Sequence, residues 1–197
     1  MRAKTKRPSA KEIILQKASE LFYRQGYNAT GIQQIIDDAG ISKGAFYTHY
    51  KTKSDLGLAY LQKRHTDEIS AIKEKLAKFK TPYEKYTNFG KMMKEWIKAN
   101  DFRGCAFAHM NAEITDASSP IRKEAKYHYE AFRALIRDVV GDLIKSEKRF
   151  AHLNADHLTD DFMLIMVGAL TNSEIYLDVW PFDRATAAVK ELLGNRN

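Results

Sequence analysis

Apolar residues recur in steps of three and four along almost the whole chain, and no stretch shows the alternation of a half-buried strand, so the sequence is confined to an all-α fold. Between Ser9 and Gln25 the positions Ile14, Ala18, Leu21 and Phe22 mark a first helix, with Gly26 as its stop. Thr30 is expected to cap a second, with Gln33 completing a capping box, Ile32, Ile35, Ile36 and Ala39 on its apolar face, and Gly40 at its end. Ile41 then bridges to Ser42, a good N-cap for a short helix over Lys43–Tyr50. Two short helices separated by a glycine turn form a candidate helix-turn-helix. Ser54 is expected to cap a long fourth helix reaching Pro82, with Leu58, Leu61, His65, Ile69, Ile72, Leu76 and Phe79 along one face.

Further helices are expected over 82–99, 104–116, 119–147, 155–179 and 182–193, about nine in all. Ile121, Ala125, His128, Phe132, Leu135 and Val139 form the apolar stripe of the 119–147 helix, whereas FMLIMVGAL in the 155–179 helix is apolar all round. Such a helix is buried on several sides, by its own domain and by a partner subunit. A boundary inside the fourth helix, near residues 55–65, would give a helix-turn-helix domain over 1–55 and a larger helical domain over 56–197, joined by a rigid rod.

Charged residues at 29% and hydrophobic ones at 44% fit a globular chain rather than a disordered or membrane-spanning one. No uncharged apolar run approaches the roughly 18 residues of a membrane helix, so no membrane partner is expected. The basic opening MRAKTKRPSAKE lacks an apolar run behind it, which argues against a secretory signal. The single cysteine, Cys105, cannot pair within the chain, and the reducing cytoplasm is the expected compartment. The net charge of +7 is unevenly placed: residues 1–64 hold 12 Lys/Arg against 5 Asp/Glu, and the rest of the chain holds 20 of each. An N-terminal surface that meets a polyanion accounts for that asymmetry.

The segment TGIQQIIDDAGISKGAFYTHYKTKSDL, residues 30–56, contains a glycine turn, a Ser-Lys-Gly opening to a helix, a Tyr-x-His-aromatic ending and a Lys-x-Lys leading into the next helix. It closely resembles the DNA-binding signature of the TetR (tetracycline-repressor-like) regulators. The physical demands of that role can be stated separately. A recognition helix must bring its backbone near the floor of the major groove, so Gly44 and Ala45 at its start keep the bulk low and leave Lys43 free to reach a base or phosphate. Gln33 can pair with adenine bidentately. Thr30, Ser42, Tyr47, Thr48, His49, Lys51 and Lys53 complete the expected DNA-contacting set, mainly as phosphate partners that fix register. Ile41, Phe46 and Tyr50 are expected in the small domain's core, and Arg2, Lys4, Lys6 and Arg7 could track the backbone or enter a minor groove.

The resemblance implies a sequence-specific transcriptional regulator, by family habit a repressor, binding a palindromic double-stranded operator as a homodimer and released by a small-molecule effector. It also implies an effector site in the larger domain and a dimer seam on the last two helices, near 155–193, toward which Leu170, Ser173, Leu177, Ala188, Val189 and Leu192 are expected to face. Phe89, Met93, Trp96, Phe107, Met110, Phe132, Met163, Met166 and Tyr176 could line an apolar, adaptable pocket, and they are equally the residues of an ordinary core. The stretch RGCAFAHMNAEITDASSPIR, 103–122, resembles the Gly-Cys…Glu…Pro-x-Arg segment of a subgroup in which some members respond to electrophiles or oxidants, which adds Cys105 to the effector residues. A helix N-terminus and Arg103 would favour its thiolate; burial would leave it an inert small hydrophobe.

His109 and Glu113 share a helix face, and His65 and His128 interrupt apolar stripes, but no spacing matches a metal motif, so no metal and no cofactor are expected. Phosphate loops, nucleophile elbows and dinucleotide fingerprints are likewise absent, which argues against an enzyme. An architectural protein that coats DNA without reading its sequence would use the same basic third and is the competing reading.

Overall fold

The computed structural model describes residues 8–194, so the basic tail Arg2, Lys4, Lys6 and Arg7 lies outside the described residues. Among those described there are ten α-helices and no strand: α1 (Ala10–Gln25), α2 (Ile32–Ala39), α3 (Lys43–His49), α4 (Lys53–Leu76), α5 (Pro82–Thr87), α6 (Phe89–Ala99), α7 (Ala106–Glu113), α8 (Pro120–Ser146), α9 (Ala155–Tyr176) and α10 (Trp180–Glu191). A short 3₁₀ turn, Lys148–Phe150, precedes α9.

The ends of these helices follow from local chemistry, and some differ from the expectation. Ser9 and Glu12 form a reciprocal capping box on α1, and Ser42 caps α3 by accepting the Ala45 N–H at 3.1 Å. Gly40, at φ +63°, closes α2 in the left-handed region. Thr30 does not cap α2: Gly31 occupies that position without a side-chain bond, and Gln33 instead donates to Asp37 at 2.8 Å. Ser54 does not cap α4 either. Thr52 and Asp55 exchange reciprocal bonds of 2.9 and 3.0 Å, which moves the cap from Ser54 to Thr52 and starts that helix at Lys53. The helix ends at Leu76, short of Pro82, with Lys73 and Lys75 in its last turn at the negative end of the dipole. The single helix expected over 82–99 is two, because Asn88 leaves the helical region (ψ 2°) and turns its side chain back onto the Glu84 carbonyl at 3.0 Å.

The chain forms two compact units, one of residues 1–65 with 106–125, the other of residues 66–105 with 126–197. In the first unit Ile14, Ala18 and Phe22 of α1 pack with Ile35, Ile36, Phe46, Tyr50, Leu56, Tyr60 and Leu61. Phe107 and Met110 of α7 and Ile121 of α8, all at most 2% exposed, belong to this unit, so a segment remote in sequence completes its core. The approach is closest at Gly57 of α4, where a Cβ would stand 2.8 Å from the Tyr27 ring, 3.0 Å from Ile121 and 3.3 Å from Met110.

The second unit is a helical bundle whose core runs from Tyr86, Phe89 and Ile97 through Ile136, Val140 and Leu143 to Phe162, Met166, Phe182 and Val189. Phe162 is its hub, with ring centroids 5.0 Å from Tyr86 and 5.3 Å from Phe89. Arg133–Asp160 at 2.6 Å and Arg137–Asp156 at 2.7 Å join α8 to α9 at the surface, where solvent screens such pairs and leaves the buried core to hold the helices together. The α9 helix is not buried all round: Phe162, Met166 and Ala169 face the core, while Leu164 is 74% exposed.

The closeness at Gly57 makes the first unit sensitive to one methyl group. Alanine would favour the helix by about 1 kcal/mol, yet it must displace the wedged Tyr27 ring, and overpacking costs about 1–3 kcal/mol. Gly57→Ala is therefore expected to lower the thermal midpoint, read by circular dichroism; an unchanged or raised midpoint would show that Tyr27, Met110 and Ile121 move aside freely.

Candidate nucleic-acid interface

The helix-turn-helix buries one side and presents the other. On the buried side, Ile35 and Ile36 of α2 and Phe46 of α3 are at most 4% exposed, as is Tyr50 just beyond α3, while Ile41 in the turn is half-buried. On the outer side Gln33, Ser42, Lys43, Gly44, Tyr47, Thr48, His49 and Lys51 are all exposed, and Ala45 and Lys53 are half-buried. Eight of the eleven residues expected to contact DNA thus lie at the surface of one small unit.

Their local bonds leave the outer face available. Thr48 donates back to the Gly44 carbonyl at 2.9 Å, and Lys51 donates to the Tyr47 carbonyl at 3.0 Å, which covers the C-terminal end of α3 with a cation. At Gly44 a Cβ would meet nothing nearer than the Ser42 hydroxyl at 3.9 Å, and its φ is not positive. The protein itself therefore has no steric or conformational need for glycine at this position.

Thr30 departs from the expected set. It is fully buried, its hydroxyl donates to the Gly26 carbonyl at 2.7 Å, and it accepts from the Gln25 amide at 3.2 Å. That hydroxyl is committed to the turn after α1 and cannot reach a phosphate without leaving the core. Lys53 is the other inward-turned member: its ammonium lies 4.4 Å from the centroid of the Tyr27 ring and 3.4 Å from the Asn28 carbonyl. Burial pulls its pKa below the usual lysine range, and the Glu113 charge opposes that shift.

Glu113 is the residue whose role sequence reasoning missed, having met it only as a possible metal partner of His109 and as the Glu of the Gly-Cys…Glu…Pro-x-Arg segment. Its carboxylate accepts the backbone N–H groups of Tyr27 at 3.0 Å and Asn28 at 2.5 Å, and its carbonyl accepts the Asn28 amide at 3.0 Å. The available signal was a carboxylate in the last turn of a helix, where the dipole disfavours it.

The expected effector residues divide between the two units. Phe107 and Met110 are buried in the first. In the second, Phe89 and Met166 are core residues, with Met93, Trp96, Phe132 and Met163 packed against them as partly buried neighbours. Tyr176 is 59% exposed at the end of α9, its ring beside that of Trp180 at 5.4 Å, and so does not join them. A shallow cleft of about 130 Å³ is lined by His152, Leu153, Asn154, His157, Leu158, Asp161 and Leu192, none of them an expected pocket residue. It is well under the roughly 300 Å³ of an ordinary ligand pocket.

Cys105 is half-buried and accepts the Tyr129 hydroxyl at 3.6 Å; burial first, then Cys105 and Glu68, push the Tyr129 phenol far up. The neighbouring Gly104 backbone lies against the Glu174 carboxylate, which a Cβ would meet at 2.2 Å. His128, almost buried, faces Glu68 at 3.8 Å. Among the described residues no three His, Cys, Asp or Glu side chains converge as a metal site requires. No described helix is long and apolar enough to cross a membrane.

Residues 14–60 match the family model of the bacterial regulatory proteins of the tetR family, and residues 83–189 match that of the tetracyclin repressor-like C-terminal domain. The chain is 23% identical over 188 residues to the transcriptional repressor DhaR of Mycobacterium sp. (strain GP1), covering 95% of this chain and 93% of that protein. It is 44% identical over 64 residues to the transcriptional activator FasR of Mycolicibacterium smegmatis, 32% of this chain and 29% of that one. A TetR-family transcriptional regulator from Streptomyces coelicolor shares the fold at a TM-score of 0.82, with 20% identity over 93% of this chain and 94% of that one. The exposed helix-turn-helix face and the two family matches, which together take in most of the sequence, have one reading: the chain is a DNA-binding transcriptional regulator and belongs to the TetR family.

Proposed function

We propose that this regulator is a repressor that reads a palindromic operator as a homodimer and is released by a small-molecule or electrophile effector. Residues 1–55 carry the DNA-reading role, and 56–197 carry the effector and dimer roles. The observation that carries sequence-specific reading is the bare start of α3: Gly44 is exposed, helical and unopposed within the protein, so its lack of a side chain is explained by a close approach from outside. Lys43 beside it and Gln33 on α2 reach base edges, while Ser42, Tyr47, Thr48, His49, Lys51 and Lys53 hold phosphates and fix register. TetR regulators act as dimers on operator DNA, and two copies of α3 would read half-sites about one helical turn, roughly 34 Å, apart or a multiple of it.

The seam we propose lies on α9 and the turn into α10. Leu164, Ile175, Leu177 and Trp180 are 46–74% exposed, and on α9 the steps Leu164, Gly168, Thr171, Ile175 keep to one face, with open space at Gly168. Ser173 and Val189, expected at the seam, have no exposed surface and belong to the core of their own subunit. For the effector, the aromatic and methionine cluster around Phe89, Met93, Trp96, Phe132, Met163 and Met166 offers apolar surface, and the Cys105 thiol is the group an electrophile would alkylate.

Selection of a random duplex library by the purified protein at near-physiological salt tests the reading. Recovery of a shared palindrome is expected; retention without any shared sequence would establish the architectural role instead. On a recovered duplex, Lys43→Ala is expected to weaken specific binding more than nonspecific binding, and equal losses would remove its base-reading role. Gly44→Ala should raise thermal stability by about 0.4–1 kcal/mol while weakening operator binding at least tenfold, so a variant that binds as well as the parent refutes the close approach. Leu164→Glu with Ile175→Glu is expected to halve the mass measured by sedimentation, and a mass that stays dimeric would place the seam elsewhere.

A further inference from the structure

The turn after α1 is held by a residue from far along the chain. Gly26 stops α1 at φ +96°, a conformation that favours glycine, and a Cβ there would lie 3.0 Å from a Glu113 carboxylate oxygen. Immediately after it, the Tyr27 and Asn28 N–H groups both point at that carboxylate, and the Asn28 side chain donates to the Glu113 carbonyl. Charge-assisted bonds of this kind are about twice as strong as neutral ones.

The same two turn residues hold Lys53 from the other side. Its ammonium sits over the Tyr27 ring and donates to the Asn28 carbonyl. Asn28 is therefore clamped at both ends of its backbone, its N–H by an anion from α7 and its carbonyl by a cation from α4. Four residues on, α2 begins at Ile32 and carries the exposed Gln33.

We propose that Glu113, which lies outside the helix-turn-helix, is a positioning residue for DNA binding: by closing the Tyr27–Asn28 turn it fixes Lys53 and the start of α2 in the geometry that engages the operator. This rests on the DNA-reading role above. Electrostatics support it, since Glu113 is the charge that favours the ammonium of Lys53 against the burial that disfavours it. Withdrawal of the α7 end would leave two turn N–H groups without their acceptor and take the Glu113 charge from Lys53, loosening the grip through Lys53 and the start of α2.

The test uses the full chain, a duplex recovered by the parent protein from the random library, and an unrelated duplex of equal length, with affinity measured across a salt series. Glu113→Gln keeps the size and removes the charge. It is expected to weaken binding to the recovered duplex about tenfold and to lower the slope of log affinity against log salt by about 0.9, the loss of one phosphate contact. Lys53→Met should give the same change in slope, and Glu113→Gln should add little on the Lys53→Met background. Should Glu113→Gln fail to fold, Glu113→Asp, which keeps the charge but shortens the reach, carries the same comparison. A parent protein that retains no duplex removes the DNA reading and this inference with it. A parent that binds, with a Glu113 variant that matches it in affinity and slope or whose effect simply adds to that of Lys53→Met, overturns the inference alone.

Discussion

At Gly57 the α4 backbone stands against Tyr27 of the α1–α2 turn, Met110 of α7 and Ile121 of α8, closer than any side chain would allow. That contact lies in the core of the unit that carries the helix-turn-helix. A seven-residue helix such as α3 is far below the length that is stable alone in water, and an eight-residue α2 is little better. Their orientation must come from packing, and the packing comes from α1, the first turns of α4, and the α7–α8 segment that the C-terminal family model covers. The reading surface is thus held by residues from both ends of the family's pattern.

The same unit also separates its charges. Its apolar and aromatic groups are buried, Phe22 against Tyr27 at 5.1 Å and against Tyr60 at 5.7 Å, while the cations Lys43 and Lys51 stand exposed on and just beyond α3. Cations there draw a polyanion without naming a sequence. On the reading proposed above, what discriminates sequence is geometric: a helix start without side-chain bulk at Gly44, with Lys43 beside it and Gln33 on α2 as donors. Bulk charge and the bare helix start therefore do different work on one face, the first setting how strongly DNA is held and the second which DNA.

Much of this was legible from residue spacing. Three-and-four periodicity located the helical stretches, though it ran α5 and α6 together, and Ser9, Ser42, Gly26 and Gly40 lie at helix ends because capping is a local event written in adjacent residues. The misreadings share one cause. Thr30 and Ser54 are competent caps whose positions were decided by neighbours: Thr30 is drawn inward by Gly26 and Gln25, and Thr52 with Asp55 outcompetes Ser54. Asn88 divides a helix that periodicity runs together: its backbone N–H still reaches the Glu84 carbonyl, which its side-chain amide also joins, but its ψ of 2° breaks the helical path. Glu113 was invisible as a clamp because its partners are backbone N–H groups 85 and 86 residues away, and backbone donors leave no trace in side-chain pattern. Tyr176 has the composition of a pocket residue, and only its place at the last position of α9 turns it to solvent.

Several residues at the proposed sites break local rules. Glu113 stands at the negative end of α7 and Lys53 at the positive end of α4, each on the wrong side of its helix dipole by about 0.3–1 kcal/mol. Gly44 weakens α3 by about 1 kcal/mol relative to alanine, and Leu164 exposes apolar surface worth about 1.5–3 kcal/mol if covered. In a domain stable by only about 5–15 kcal/mol these are not negligible, and sequences retain such costs mainly at functional positions. For Glu113 and Lys53 the two costs offset each other only while the Tyr27–Asn28 turn is closed, because each then supplies the charge that the other's helix end lacks. Opening the turn would restore both penalties together, and on the inference drawn above this is how the α7 end would bear on the start of α2.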